Sequence, residues 1–144
     1  MQLNSLSIRF YNLLKEKRKY FVYIPLASYW ILLFVATSIP TDAMPKLFDA
    51  QDKLEHFGAY FILSILLLLS LHLQEKYSVL NKRAIFFTFV LLSFYGALDE
   101  LHQYFIPGRY CDFYDWVADV IGGLTGIGLM VLLLRKYLYP NISL

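Results

Sequence analysis

The sequence predicts an all-α integral membrane protein, a four-helix transmembrane bundle with both termini on the cytoplasmic side, and three observations predict it. Four apolar runs are each long enough to cross a hydrocarbon core of about 30 Å, which takes roughly 20 helical residues. The composition is 58% hydrophobic and the mean hydropathy is +0.51, beyond what a soluble globular domain carries. Basic residues are segregated toward one set of span ends.

The spans are expected at 21–39, 56–73, 84–105 and 116–138. The first ends at Pro40 and lacks a small-residue cleavage site behind a short apolar region, so it reads as an uncleaved signal anchor. Residues 1–20 form a basic N-terminal tail, 21–138 the membrane domain and 139–144 a short cytoplasmic tail. The N-terminal tail mixes apolar and basic residues, and an ordinary juxtamembrane anchor is favoured over an interfacial helix. The single cysteine, Cys111, cannot form an internal disulfide and is given no chemical role.

Ten bases lie in the N-terminal tail (Arg9, Lys15, Lys17, Arg18, Lys19), the connection between spans two and three (Lys76, Lys82, Arg83) and the C-terminus (Arg135, Lys136). Only Lys46, Lys53 and Arg109 lie on the other side, which makes both termini cytoplasmic. Nine of the eleven acids then fall at the outer end, so the net charge of +2 averages a basic inner face with an acidic outer one. Bases at the inner face suit anionic lipid headgroups, and no nucleic-acid partner is expected.

Those acids interrupt apolar runs, and carboxylates inside a membrane are costly enough to mark function. Counted from the inner span ends, Asp99, Asp119 and His56 stand about 22, 24 and 25 Å up, or roughly 5 to 8 Å below the outer boundary of the core. Asp99, His102 and Gln103 share one helical face. Asp52, Glu55, His56 and Tyr60 share another if the helix starts before its apolar run, and Asp112, Asp115 and Asp119 follow an i, i+3, i+7 pattern. Arg109 is expected over one or more of Asp99, Glu100, Asp112 and Asp115. The site set is Asp52, Lys53, His56, Tyr60, Asp99, Glu100, Gln103, Arg109, Asp115 and Asp119. His102 and His72 read as structural or interfacial, and Asp42 and Asp49 as solvated loop residues. Gly122 and Gly126 have the small-xxx-small spacing that allows close helix packing, including a homodimer through that face. Aromatics near the span ends, among them Tyr20, Tyr104, Tyr110 and Trp116, match an interfacial belt.

Asp52-Lys53-x-x-His56-Phe57-x-x-Tyr60-Phe61, then Asp99-Glu100-x-x-Gln103-x-x-x-Pro107-Gly108-Arg109, then Asp115-x-x-x-Asp119-x-x-Gly122, together resemble the signature of VanZ-like membrane proteins over roughly residues 25 to 135. The resemblance implies a multi-pass protein of the bacterial cytoplasmic membrane. It also implies a link to resistance against teicoplanin, a glycopeptide with a lipid tail. One departure is Asp119, where many members carry Asn, which adds an acid to the site.

Two chemistries remain open for these residues. In one, a polar clamp joins the helices and binds membrane lipid, a lipid-linked cell-wall precursor or a lipoglycopeptide. In the other, an acid/base enzyme acts on a lipid-linked envelope precursor, with Asp99 or Glu100 as base, His56 as proton shuttle and Arg109 holding a phosphate or carboxylate. No catalytic residue is assigned, because crowded acids perturb one another in structural networks as well. His56, His102, Asp99 and Glu100 are metal-ligand types, but Asp99-Glu100-Leu101-His102 lacks the two histidines of His-Glu-x-x-His, so no metal or cofactor is expected. A transporter ranks lower, as no inverted repeat is visible.

Overall fold

A computed structural model describes residues 2–40, 48 and 50–138, with backbone alone at 2–6, 137 and 138. Asp42, Lys46, Asp49 and the tail at 139–144 lie outside the described residues. The order is α1 (Gln2–Glu16), a π-helical turn (Lys19–Tyr23), α2 (Ile24–Thr37), α3 (Gln51–Leu73), α4 (Ser78–Lys82), α5 (Ala84–Gln103) and α6 (Phe113–Leu138). Four helical stretches are long and apolar enough to span a membrane, 19–37, 51–73, 84–103 and 113–136. The chain is therefore an all-α, multi-pass bundle, with no strand among the described residues.

The helix bounds depart from the hydropathy of the runs for local reasons. The first span begins with the π turn because Pro25 has no N–H to give Phe21 and its ring crowds that carbonyl; Ile24 N–H bonds to Lys19 O instead. Helix α3 starts five residues before its apolar run, since Gln51, Lys53, Leu54 and Glu55 are good helix formers and Asp52 suits the positive end of the helix dipole. Helix α5 stops at Gln103, two residues early, because Pro107 disfavours helical backbone just before it. Helix α6 begins at Phe113, three residues early, because the Asp112 side chain accepts the Tyr114 N–H at 2.8 Å and caps it.

The core runs down the α3–α6 seam and is closed by α5 and α2, with Leu63, Leu67, Leu68, Leu92 and Ile127 at its centre. Tyr29 ties α2 to α3 by donating to the Ala59 carbonyl at 3.0 Å. Large apolar side chains such as Ile31, Phe86, Phe94, Leu124 and Leu132 point outward, as a lipid-facing surface requires. Residues 2–16, expected as an ordinary juxtamembrane anchor rather than an interfacial helix, are helical. Tyr11 and Leu14 of α1 pack on Val22, Leu69 and Leu73, while Lys15 and Arg18 reach Glu75 at 3.1 and 2.9 Å. The tail carries an apolar face, and the end of α3 offers it one to bury against. His72, read as an interfacial residue, is half-buried there, with its Nε2 3.3 Å from the Tyr11 hydroxyl.

Gly122 and Gly126 are what bring α3 and α6 together. A Cβ on Gly122 would run into the Phe57 carbonyl, and one on Gly126 into the Ser64 hydroxyl and the Phe61 carbonyl. This corrects the homodimer expected through the Gly122/Gly126 face, since that face is buried within the chain against α3. Gly128 faces open space. Gly122→Ala should lower the thermal midpoint of the purified protein in detergent, at a cost of about 1–3 kcal/mol or more because backbone cannot move aside as a side chain would. Gly128→Ala should leave the midpoint unchanged or slightly raised.

Candidate functional site

The polar residues gather at one end of the bundle, where α3 and α6 begin and α2 and α5 end. One helical face from each of three helices supplies them: His56 and Tyr60 one turn apart on α3; Asp99, Glu100 and Gln103 on α5; Asp115 and Asp119 on α6. All seven are buried. Six of them lie within about two turns of a helix end, and Tyr60 lies about half a turn deeper along α3.

At the centre, His56 Nδ1 lies 2.9 Å from Asp119 Oδ1 and 3.7 Å from Glu100 Oε1. Asp119 is fully buried and its second oxygen, Oδ2, has no hydrogen-bond partner. Gly96 makes room for it, because a Cβ there would stand 3.0 Å from Oδ2 and 3.2 Å from Trp116 Cδ1. Trp116 is held in place by its indole N–H, which donates to the Ser93 carbonyl at 3.0 Å. Below the charges, Tyr60 packs on Tyr95 (ring centroids 6.0 Å apart) and Tyr95 meets Trp30 edge-on at 5.2 Å. These rings separate the cluster from the leucine core. The Tyr60 hydroxyl is buried without a hydrogen-bond partner.

Toward the helix ends, the acids are held by main-chain and side-chain donors. Glu100 Oε2 accepts the Asp112 backbone N–H at 2.8 Å, and Gln103 Nε2 donates to Asp99 and Glu100 at 3.4 and 3.3 Å. Lys53 stands between Asp112 and Asp115, with Nζ 3.0 and 2.9 Å from their carboxylates. The Asp112 carboxyl, just outside the span, is held below the usual carboxylate range by the Tyr114 N–H and by Lys53.

Arg109 does something other than what its charge suggests. Ile106–Arg109 is a turn closed by Arg109 N–H donating to the Ile106 carbonyl at 3.1 Å, with Pro107 and Gly108 at its corners and Gly108 at φ 75°. That is the type II pattern, which favours Pro then Gly. The turn aims the guanidinium at Gln103 Oε1 (2.9 Å) and at the carbonyls of Ile39 (3.0 Å) and Ala36 (3.4 Å), at the C-terminal end of α2. A cation suits the negative end of a helix. The expected pairing of Arg109 with Asp99, Glu100, Asp112 or Asp115 is therefore corrected: among the described residues, Lys53 is the cation that answers Asp112 and Asp115. Its ammonium, four carbons from α3, reaches α6, whereas the turn carries Arg109 toward α2.

Other members of the expected set separate. Asp52 is exposed at the rim, with a carboxylate oxygen within 4.8 Å of ligand atoms of His56 and Asp115, and Glu55 is exposed and bonded to Gln51 at 2.8 Å. His102, expected on the Asp99 face, turns to stack on Phe34 of α2 at 4.9 Å, and Glu100 takes the inward place. Asp112, absent from the expected set, joins the cluster through three contacts. Its position just before α6 is the sequence signal that could have marked it as a helix cap.

A family model described as VanZ/LLP1 matches residues 2–134, nearly the whole chain. The chain belongs to the VanZ/LLP1 family. No curated protein and no solved structure matches it. Within this VanZ/LLP1 chain, the three motif blocks that carried the resemblance meet at one end of the bundle. The Pro-Gly-Arg block closes α2 and α5 rather than entering the acid cluster.

Two outcomes follow from the Lys53 contacts. Lys53→Gln leaves the buried Asp115 without its cation and should cost about 1–3 kcal/mol, and adding Asp115→Asn should recover most of that loss in a double-mutant cycle on thermal midpoints. Because the folded Asp112 carboxyl lies below its unfolded value, its stabilisation is present above the ordinary Asp range and lost as pH falls through the folded value. The stability difference between the wild type and Asp112→Asn should therefore shrink on acidification below about pH 4.

Proposed function

We propose that the chain is a cell-envelope protein of the bacterial cytoplasmic membrane, with both termini cytoplasmic and its polar end facing outward. There it engages the polar head of a membrane lipid or lipid-linked molecule and lowers susceptibility to teicoplanin-type lipoglycopeptides. The observation that carries the proposal is the confinement of buried polar chemistry to one end of an otherwise apolar bundle, where Asp99, Glu100, Asp115 and Asp119 are buried, Lys53 pairs with Asp115 and Arg109 bonds to Gln103 beside them. Such a site meets lipid headgroups, not acyl chains. The family resemblance supplies the link to lipid-tailed glycopeptides, and the segregation of bases supplies the orientation.

A second proposal, an acid/base enzyme acting on a lipid-linked envelope precursor, is favoured by the His56–Asp119 contact at 2.9 Å. A buried carboxylate against one imidazole nitrogen orients the ring for proton transfer at the other. Arg109, tied to Gln103 and the end of α2, then acts as a positioning residue, and Lys53 is the cation nearer the acids.

Expression in a susceptible host should raise teicoplanin tolerance more than vancomycin tolerance, and His56→Ala, made to normal abundance, should abolish the difference. Equal tolerance to both antibiotics with and without the protein would remove the susceptibility proposal. The enzyme alternative is separated by the lipid-linked precursor profile: it should change on expression and revert in His56→Ala, whereas a binding site leaves it unchanged.

A further inference from the structure

We infer that His56, Glu100 and Asp119 hold a divalent transition-metal ion of the zinc class. One ligand atom from each, on α3, α5 and α6 respectively, lies within 4.8 Å of the other two, and all three residues are buried. For a tetrahedral zinc with bonds of 2.0 to 2.2 Å, ligand atoms stand roughly 3.4 Å apart. The His56 nitrogen is 2.9 Å from the Asp119 oxygen and 3.7 Å from the Glu100 oxygen, on either side of that separation. Both of these separations lie within about half an ångström of the tetrahedral value, and the Glu100 and Asp119 ligand atoms stand within 4.8 Å of each other.

Independent observations point the same way. Asp119 Oδ2 and the Tyr60 hydroxyl are both buried without hydrogen-bond partners. Tyr60 lies one turn from His56 on the same face of α3, close enough to interact electrostatically with Asp119, Asp99 and Glu100. Lone polar atoms in such a place are costly unless something polar meets them. The charge balance also calls for a cation. Lys53 answers Asp112 and Asp115, while the only basic side chain forming an ion pair with Glu100 or Asp119 among the described residues is His56.

One imidazole with two carboxylates suits zinc and its neighbours in the transition series, whereas magnesium and calcium favour all-oxygen sites. Asp52, His56 and Asp115 form a second group within 4.8 Å, but Asp52 is exposed and Asp115 is paired with Lys53, so the buried set is the stronger. Three protein ligands leave a fourth position for water or an oxygen of a bound head group, the pattern of catalytic rather than structural zinc. The metal site deepens the proposed function, and rests on it only for the use to which the ion is put.

The full chain, purified in detergent and stripped with a chelator, is titrated with Zn²⁺ and, separately, Co²⁺. Expected are one Zn²⁺ per chain, a visible absorption band from four-coordinate Co²⁺, and affinity about tenfold or more weaker in His56→Ala and Asp119→Asn. Glu55→Gln, which alters an exposed carboxylate on the same helix, should bind as the wild type does. No saturable Zn²⁺ binding by the wild type, or binding unmoved by both substitutions, would overturn the site. Should the variants fail to fold, the wild-type Co²⁺ spectrum decides alone, its absence counting against the site. Metal binding with unchanged antibiotic susceptibility would leave the metal site standing and remove only the function proposed for it.

Discussion

Charge inside a bilayer must be answered locally, and in this bundle the answer is the meeting of His56 with Asp119 across the α3–α6 seam. The contact is short because Gly122 and Gly126 let the two backbones approach without intervening side chains. Gly96 does the same on α5, leaving space for the Asp119 carboxylate and the Trp116 ring. Small residues and acids are therefore two parts of one device. Glycine sets the distance between helices, and that distance lets side chains from three helices share a site.

Above and below this centre the surroundings differ in kind. The floor is aromatic, with Tyr60, Tyr95 and Trp30 presenting large apolar faces to the leucine core and polar edges to the acids. The roof is polar and built from helix termini. Asp112 caps α6, gives its N–H to Glu100 and accepts Lys53, so one residue joins the ends of three helices. The Ile106–Arg109 turn carries a guanidinium to the carbonyl end of α2 and to Gln103. At the opposite end, α1 docks through Tyr11 and Leu14 and is held by Lys15 and Arg18 on Glu75, so each end of the bundle has its own charged fastening.

Much of the candidate site was legible because it follows helical arithmetic. His56 with Tyr60, Asp99 with Gln103, and Asp115 with Asp119 each sit three or four residues apart, and all turn inward together. Partnerships were less legible. Arg109 looked like the natural counterion for the acids, but the direction of a side chain leaving a turn depends on Gly108 adopting a positive φ and on the position of α2. His102 and Glu100 are both ligand types near Asp99, and which of them faces inward depends on how α5 is rotated against α6 and α2. The metal ligands we propose come from three helices, so no local spacing of the His-Glu-x-x-His kind would mark them.

The sequence by itself determined membrane class, four spans, a polar end and membership of a recognisable family, because hydropathy over 20 residues and spacing along one helix are properties of the chain alone. Only the tertiary structure decided that the Gly122/Gly126 face belongs to α3 rather than to a second copy, that the N-terminal tail folds back onto the bundle, and that Lys53 answers the α6 acids. Each of these depends on the distance and rotation between helices far apart in the chain. Those are set by packing at glycine and aromatic contacts, for which no single segment carries the information.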